Sequence, residues 1–166
     1  ESWHPDWAAE HLSDFADFGI DYVEQPIPAG DDVALAKVRR ESPVPIAADE
    51  GALDADSVRA LLAADAVDAL ILKPQRLGGP DRCLEIIRLA AALGVRCTIT
   101  NSLETEVGVT AALHIASLHP PPVPDCGFGT SRFFAVDVAL PPPIINGHMT
   151  VPTEPGLGVA PNNFEG

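Results

Sequence analysis

Carboxylates and one ammonium recur where short apolar runs end. Glu24 follows Ile20-Asp21-Tyr22-Val23, Asp49 and Glu50 follow Pro45-Ile46-Ala47-Ala48, and Lys73 follows Ala69-Leu70-Ile71-Leu72. Asn101 and Ser102 close a fourth run that begins at Val95. Carboxylates brought side by side at the ends of adjacent strands offer hard oxygen ligands. Such ligands suit a magnesium or manganese ion that keeps some positions for water and substrate. Glu24 and Asp49 make the best pair. Lys73 would then be an ammonium near carboxylates such as Glu50, able to act as a base or as a cation that stabilises an enolate. For any single one of these residues a solvated strand end explains the polarity equally well. Three of them on three successive strands make coincidence a poor explanation.

The segments between these residues show how they would be positioned. Trp7, His11, Phe15 and Phe18 recur at intervals of three and four and Gly19 follows, which predicts a helix over about residues 5–18. Further helices are expected over about 32–40, 55–64, 80–93 and 104–118. Strands are expected over about 20–24, 45–49, 69–73, 95–101 and 124–127, with a closing segment over 137–160. Strict alternation of strand and helix means parallel strands joined by crossover helices. Both the doubly wound open sheet and the closed barrel use that alternation. A polar residue at the C-terminal end of each of the first four strands favours the barrel, where all those ends converge on one mouth.

Composition limits what the chain does. With 10 basic and 24 acidic residues in 166, a formal charge of −14 and no basic patch, nucleic acid and anionic membranes are excluded as partners. Cys83, Cys97 and Cys126 are widely spaced, without a C-x-x-C pair, and read as reduced thiols near a core. No apolar run reaches the length of a membrane span and the start carries no signal-peptide pattern, so a cytoplasmic protein is expected. Gly78-Gly79-Pro80 reads as a tight turn before a helix, since no phosphate-binding glycine pattern surrounds it. His114 reads as structural, and His4, His11, His119 and His148 fall at surface or loop positions. The runs Pro120-Pro121-Pro122 and Pro141-Pro142-Pro143 are expected to shape connections around the last strand.

Val23-Glu24-Gln25-Pro26, Ala48-Asp49-Glu50, Leu72-Lys73-Pro74 with Arg76-Leu77-Gly78-Gly79, and Asn101-Ser102-Leu103-Glu104 resemble the muconate-lactonizing-enzyme subgroup of the enolase superfamily. The match runs over about residues 1–160 in order and spacing. It implies the C-terminal part of a modified (β/α)7β barrel of the α/β class, spanning 1–166. The resemblance makes Glu24 the second and Asp49 the third carboxylate ligand of a magnesium ion, with manganese an alternative. Glu50 becomes the carboxylate partner of Lys73, and Lys73 the lysine on the sixth strand. In that family the ion stabilises an enediolate formed when a base removes the proton next to a substrate carboxylate.

The family's first metal aspartate, its K-x-K lysine pair and its N-terminal capping domain would all precede Glu1. The expectation is therefore that activity belongs to a longer protein and that this segment alone binds metal weakly. Cys126-Gly127-Phe128-Gly129-Thr130, Phe133 to Val138 and Pro155-Gly156-Leu157-Gly158-Val159 are most similar to o-succinylbenzoate synthases. Those lyases of menaquinone biosynthesis dehydrate 2-succinyl-6-hydroxy-2,4-cyclohexadiene-1-carboxylate to 2-succinylbenzoate. On this resemblance Asn101, Ser102 and Gly127 would line the carboxylate and succinyl pockets of a small-molecule carboxylate substrate. The same fold and ligands also serve racemases, epimerases and cycloisomerases that act on N-acyl amino acids, dipeptides or muconate. A non-catalytic, partner-binding piece is the third reading; an exposed apolar face would be its sign. A homo-oligomer is compatible with the sequence.

Overall fold

The computed structural model describes residues 2–140 and 142–162. Pro141 of the second proline run, Glu1 and the last four residues lie outside the described residues.

Local chemistry sets most helix boundaries. The first helix, α1 (Pro5–His11), has proline at its first position, where a missing N–H costs nothing. It continues as a 3-10 helix over Leu12–Phe18 and stops at Gly19, whose φ of 64° a side chain would resist. The expected helix over 5–18 is thus two tighter and looser pieces. Asp31 caps α2 (Asp32–Glu41) by accepting from the Ala34 amide at 2.9 Å. Asp54 and Ser57 form a reciprocal capping box at the start of α3 (Ala55–Ala63). After α4 (Pro80–Ala92), Gly94 adopts a φ of 74° and lets the chain turn into the next strand. The last long helix, α5 (Glu106–Ser117), receives no side-chain cap from Thr105. Asp137, far along the chain, accepts the Glu106 amide with both oxygens at 3.1 and 3.0 Å.

Four strands form one sheet in the order β1 (Val23–Glu24), β2 (Ile46–Ala48), β3 (Ala69–Leu72), β4 (Arg96–Ile99). Strands β1 and β2 pair parallel, as do β2 and β3. Each new strand adds on the same side as the last, with no reversal of order. Right-handed crossovers then put every connecting helix on one face, which is the wall of a barrel and not a doubly wound sheet. Every residue of β2 and β3 is buried, as expected of strands covered on both faces. Ala47, Ala69 and Ile71 pack with Tyr22 on one side. Ile46, Leu70 and Leu72 alternate with them and are fully buried, each such side chain contributing about 1.5–3 kcal/mol. At the N-terminal ends of the strands, Asp68 accepts the Ile46 amide at 2.8 Å and the Arg39 guanidinium at 2.9 Å, tying α2 to the sheet.

Strand lengths differ from expectation at the ends. The fifth expected strand, over 124–127, is a single parallel bridge from Thr100 to Gly127. Pro124 at the start of the expected strand has no N–H to donate to a ladder. Beyond it lies an unexpected hairpin, β5 (Ile144–Ile145) and β6 (His148–Met149), joined by Asn146-Gly147 with both φ values positive.

The chain packs as two compact units. One runs to Leu72 and resumes over Glu85–Thr98; the other comprises Lys73–Leu84 and the chain from Ile99 onward. In the second unit Phe133, Val136, Leu140 and Ile145 are exposed. Among the described residues no helix is long and apolar enough to cross a membrane.

Candidate active site

The register of the sheet fixes where the carboxylates emerge. Glu24, the last residue of β1, pairs with Ala47, and Asp49 follows β2 two residues after Ala47. Strands about 4.8 Å apart therefore deliver both carboxylates at the same, C-terminal edge. Paired residues share a sheet face, so Glu24 stands on the face of Ala47, whose small side chain leaves room beside it. Glu24 is exposed, Asp49 is 7% exposed and Glu50 is half-buried. The turn after Asp49 is closed by the Ala52 amide donating to the Asp49 carbonyl at 2.9 Å.

Lys73 immediately follows β3, two residues beyond Ile71, and is half-buried. Its carbonyl accepts the amides of Arg76 and Leu77 at 2.9 and 3.2 Å, and Gly79 donates to Pro74 at 2.9 Å. Positive φ values at Gly78 and Gly79 complete this tight turn before α4. The Gly-Gly-Pro segment thus has the conformation of a turn that fixes the lysine's backbone.

In the second unit, Asn101 and Gly127 are brought together. The Asn101 amide donates to the Gly127 carbonyl at 3.2 Å, and the Gly127 amide donates to Ile99 at 3.0 Å. A Cβ on Gly127 would stand 2.5 Å from the Thr100 hydroxyl, so no larger residue fits without movement. The Asn101 side chain is 4% exposed, yet neither end of its amide has a hydrogen-bond partner. Such a buried, unsatisfied amide is the kind of group that a polar substrate or an ordered water completes. Ser102 is half-buried, and its carbonyl accepts the Thr130 hydroxyl at 3.1 Å.

Whether this donor set suits a divalent ion is a matter of chemistry. Two carboxylates from adjacent strands, one of them buried, are the hard oxygen donors that magnesium takes while keeping water. Among the described residues no group of three or more His, Cys, Asp or Glu is clustered for a metal. Glu24 and Asp49 are donors of the kind a magnesium ion takes.

Sequence reading missed Gln25 and Glu106. Gln25 carries no charge and sits beside the more conspicuous Glu24. Glu106 lies one residue inside a helix, where a carboxylate normally faces water. In the structure it is 1% exposed and neither oxygen makes a hydrogen bond of good geometry. It lines a cavity of about 410 Å³ with Ser131, Arg132, Phe134 and Asp137. That cavity contains none of Lys73, Asn101, Ser102 or Gly127. Burial pushes the Glu106 carboxyl above its ordinary range; the nearby Ser131 hydroxyl pulls it back, and the Asp137 charge pushes it up again.

The folded chain therefore holds the Glu106 proton more tightly than the unfolded chain does. Stability is then full below the ordinary carboxylate pKa and is lost as pH rises through the raised one. Glu106→Gln, which cannot ionise, is expected to match the parent near pH 4. It should be the more stable of the two at pH 8. Urea midpoints of the two proteins across that range check this, and a difference that does not change with pH would contradict it. The same physics acts on two thiols: burial pushes Cys83 up to about 12 and raises Cys126, which disfavours their thiolates.

A family model described as enolase C-terminal domain-like matches residues 1–165. The chain belongs to that family. It is 36% identical over 141 residues to an o-succinylbenzoate synthase of Thermobifida fusca, covering 85% of this chain and 43% of that protein. It is 32% identical over 153 residues to an N-succinylamino acid racemase of an Amycolatopsis species, covering 92% of this chain and 42% of that protein. Among solved structures it is similar to a muconate lactonizing enzyme of Pseudomonas fluorescens complexed with muconolactone. That match has a TM-score of 0.90 and 26% identity, covering 97% of this chain and 44% of the other. The chain thus spans less than half the length of these enolase-family relatives. The resemblance read from the motifs and the partial barrel both hold.

Proposed function

We propose that the polypeptide containing these residues dehydrates 2-succinyl-6-hydroxy-2,4-cyclohexadiene-1-carboxylate to 2-succinylbenzoate. The observation that carries this reading is the placement of Glu24, Asp49 and Lys73 at the C-terminal ends of three consecutive strands. The 36% identity to a synthase supports the choice of substrate. Glu24 and Asp49 would hold magnesium, or manganese, through one carboxylate each. When bound, the ion supplies positive charge to an oxyanion that develops on the substrate carboxylate.

The chain's own residues take the remaining roles. Lys73 would present its ammonium to the developing negative charge, with Glu50 as the carboxylate that orients it. Asn101 would complete its buried amide on the substrate, and Ser102 and Gly127 would shape the pocket for the succinyl arm. The reaction balances as loss of a proton from the carbon bearing the carboxylate and of hydroxide from its neighbour, leaving as water. By the family resemblance the acceptor of that proton is a lysine outside these 166 residues.

Racemisation of an N-succinylamino acid is the second reading, favoured by the Amycolatopsis relative that covers 92% of the chain. Both reactions begin with removal of the proton next to a substrate carboxylate and separate afterwards. The native polypeptide, given magnesium and each substrate in turn, is expected to show kcat/KM for dehydration at least about tenfold above that for racemisation, roughly 1.4 kcal/mol of transition-state preference. The opposite ratio would move the assignment to the racemase, and neither activity would remove both.

A further inference from the structure

We propose that Gln25 is a positioning residue for Asp49, setting the turn after β2 so that this carboxylate meets a divalent cation; the proposal rests on the metal-site reading above. Gln25 is 2% exposed and follows Glu24 directly. Its Oε1 accepts two amides, from Asp49 at 3.1 Å and from Gly51 at 3.0 Å. Its Nε2 donates to the Ile27 carbonyl at 2.9 Å, and its own amide donates to Ala47 at 2.8 Å. One side chain therefore ties the loop after β1 to the turn after β2, the two places from which the carboxylates emerge.

The backbone of Gln25 shows that this tie is held against resistance. Its φ is 39°, in the left-handed region that residues with a side chain rarely adopt, and Pro26 follows. Such a conformation costs on the order of 1–3 kcal/mol and persists only where surrounding contacts fix it. Three side-chain hydrogen bonds in a buried setting supply those contacts. Gly51 leaves space for them: a Cβ there would stand 3.3 Å from Gln25 Oε1. A glutamine merely filling space would need neither the strained backbone nor the two-amide acceptor.

The test uses two variants of the full chain, with manganese as the probe. Gln25→Met keeps length and buried volume but removes the acceptor; Gly51→Ala presses on the same oxygen from the other side. In Gln25→Met the amides of Asp49 and Gly51 are expected to lose hydrogen-exchange protection, and manganese affinity, read by electron paramagnetic resonance, to fall about 10- to 100-fold. Gly51→Ala should weaken manganese binding less, and the double variant should fall short of the product of the two effects because both act through one contact. A Gln25→Met protein of lower melting temperature that binds manganese like the parent would overturn the proposal, as would multiplicative effects in the double variant. If the parent binds no manganese while the two amides still lose protection in Gln25→Met, the metal reading fails and the positioning of the turn stands.

Discussion

On the proposed dehydration, Lys73→Met is expected to lower kcat of the native polypeptide by about 10²- to 10⁴-fold, the range in which a positioned acid, base or cation contributes. The substitution keeps the apolar stem and removes only the ammonium. The turn that carries it is built from main-chain hydrogen bonds to Lys73 and Pro74 carbonyls, so the fold should survive. Manganese affinity is therefore expected to stay near the parent value, and the chain to remain folded, while turnover is lost. Lys73→Arg refines the role: a guanidinium keeps its charge but does not give up a proton at working pH. Substantial activity in Lys73→Arg would mean that Lys73 works by charge, as proposed. Activity lost equally in both variants would mean that it transfers a proton. A Lys73→Met enzyme within about threefold of the parent would remove Lys73 from the chemistry altogether.

The contrast between Lys73 and Gln25 shows how much of this molecule was legible in its sequence. Lys73 was visible because a charged residue ending a fully apolar run violates the local pattern, and such violations concentrate at sites. The same logic exposed Glu24 and Asp49. Helices α2 to α4 were legible to within one or two residues, because Asp31, Asp54 and Gly94 mark their ends by local chemistry. The division of the first helix at His11 was not, since α and 3-10 turns place apolar residues at nearly the same spacing.

What escaped depends on partners far along the chain. The cap of α5 comes from Asp137, and the function of Gln25 comes from amides at Asp49 and Gly51. Neither leaves a mark within its own neighbourhood. Glu106 looked like any first-turn carboxylate, and only packing by the segment near Ser131 to Asp137 buries it. The hairpin at Ile144–Met149 differs, because Asn146-Gly147 between Ile144-Ile145 and His148-Met149 is a local turn signal. It was lost among the neighbouring prolines.

Asp49→Asn should remove most of the stabilisation that magnesium confers, the second large effect expected of this site. An ion present at about a hundred times its dissociation constant stabilises the folded state by about 2.7 kcal/mol, which for a chain of this size raises the melting temperature by roughly 5–10 °C. An amide oxygen is a weaker ligand than a carboxylate, and Asp49 is buried, so its charge acts through a less screened medium than that of exposed Glu24. Loss of manganese affinity is therefore expected to be about 100-fold for Asp49→Asn and nearer tenfold for Glu24→Gln. The order of the two follows from burial alone and is independent of which substrate the enzyme takes. Asp54→Asn, which alters only the cap of α3, is the control and should leave the magnesium response intact. Undiminished stabilisation by magnesium in Asp49→Asn would mean that the ion binds elsewhere, and the two strand ends would return to being solvated carboxylates.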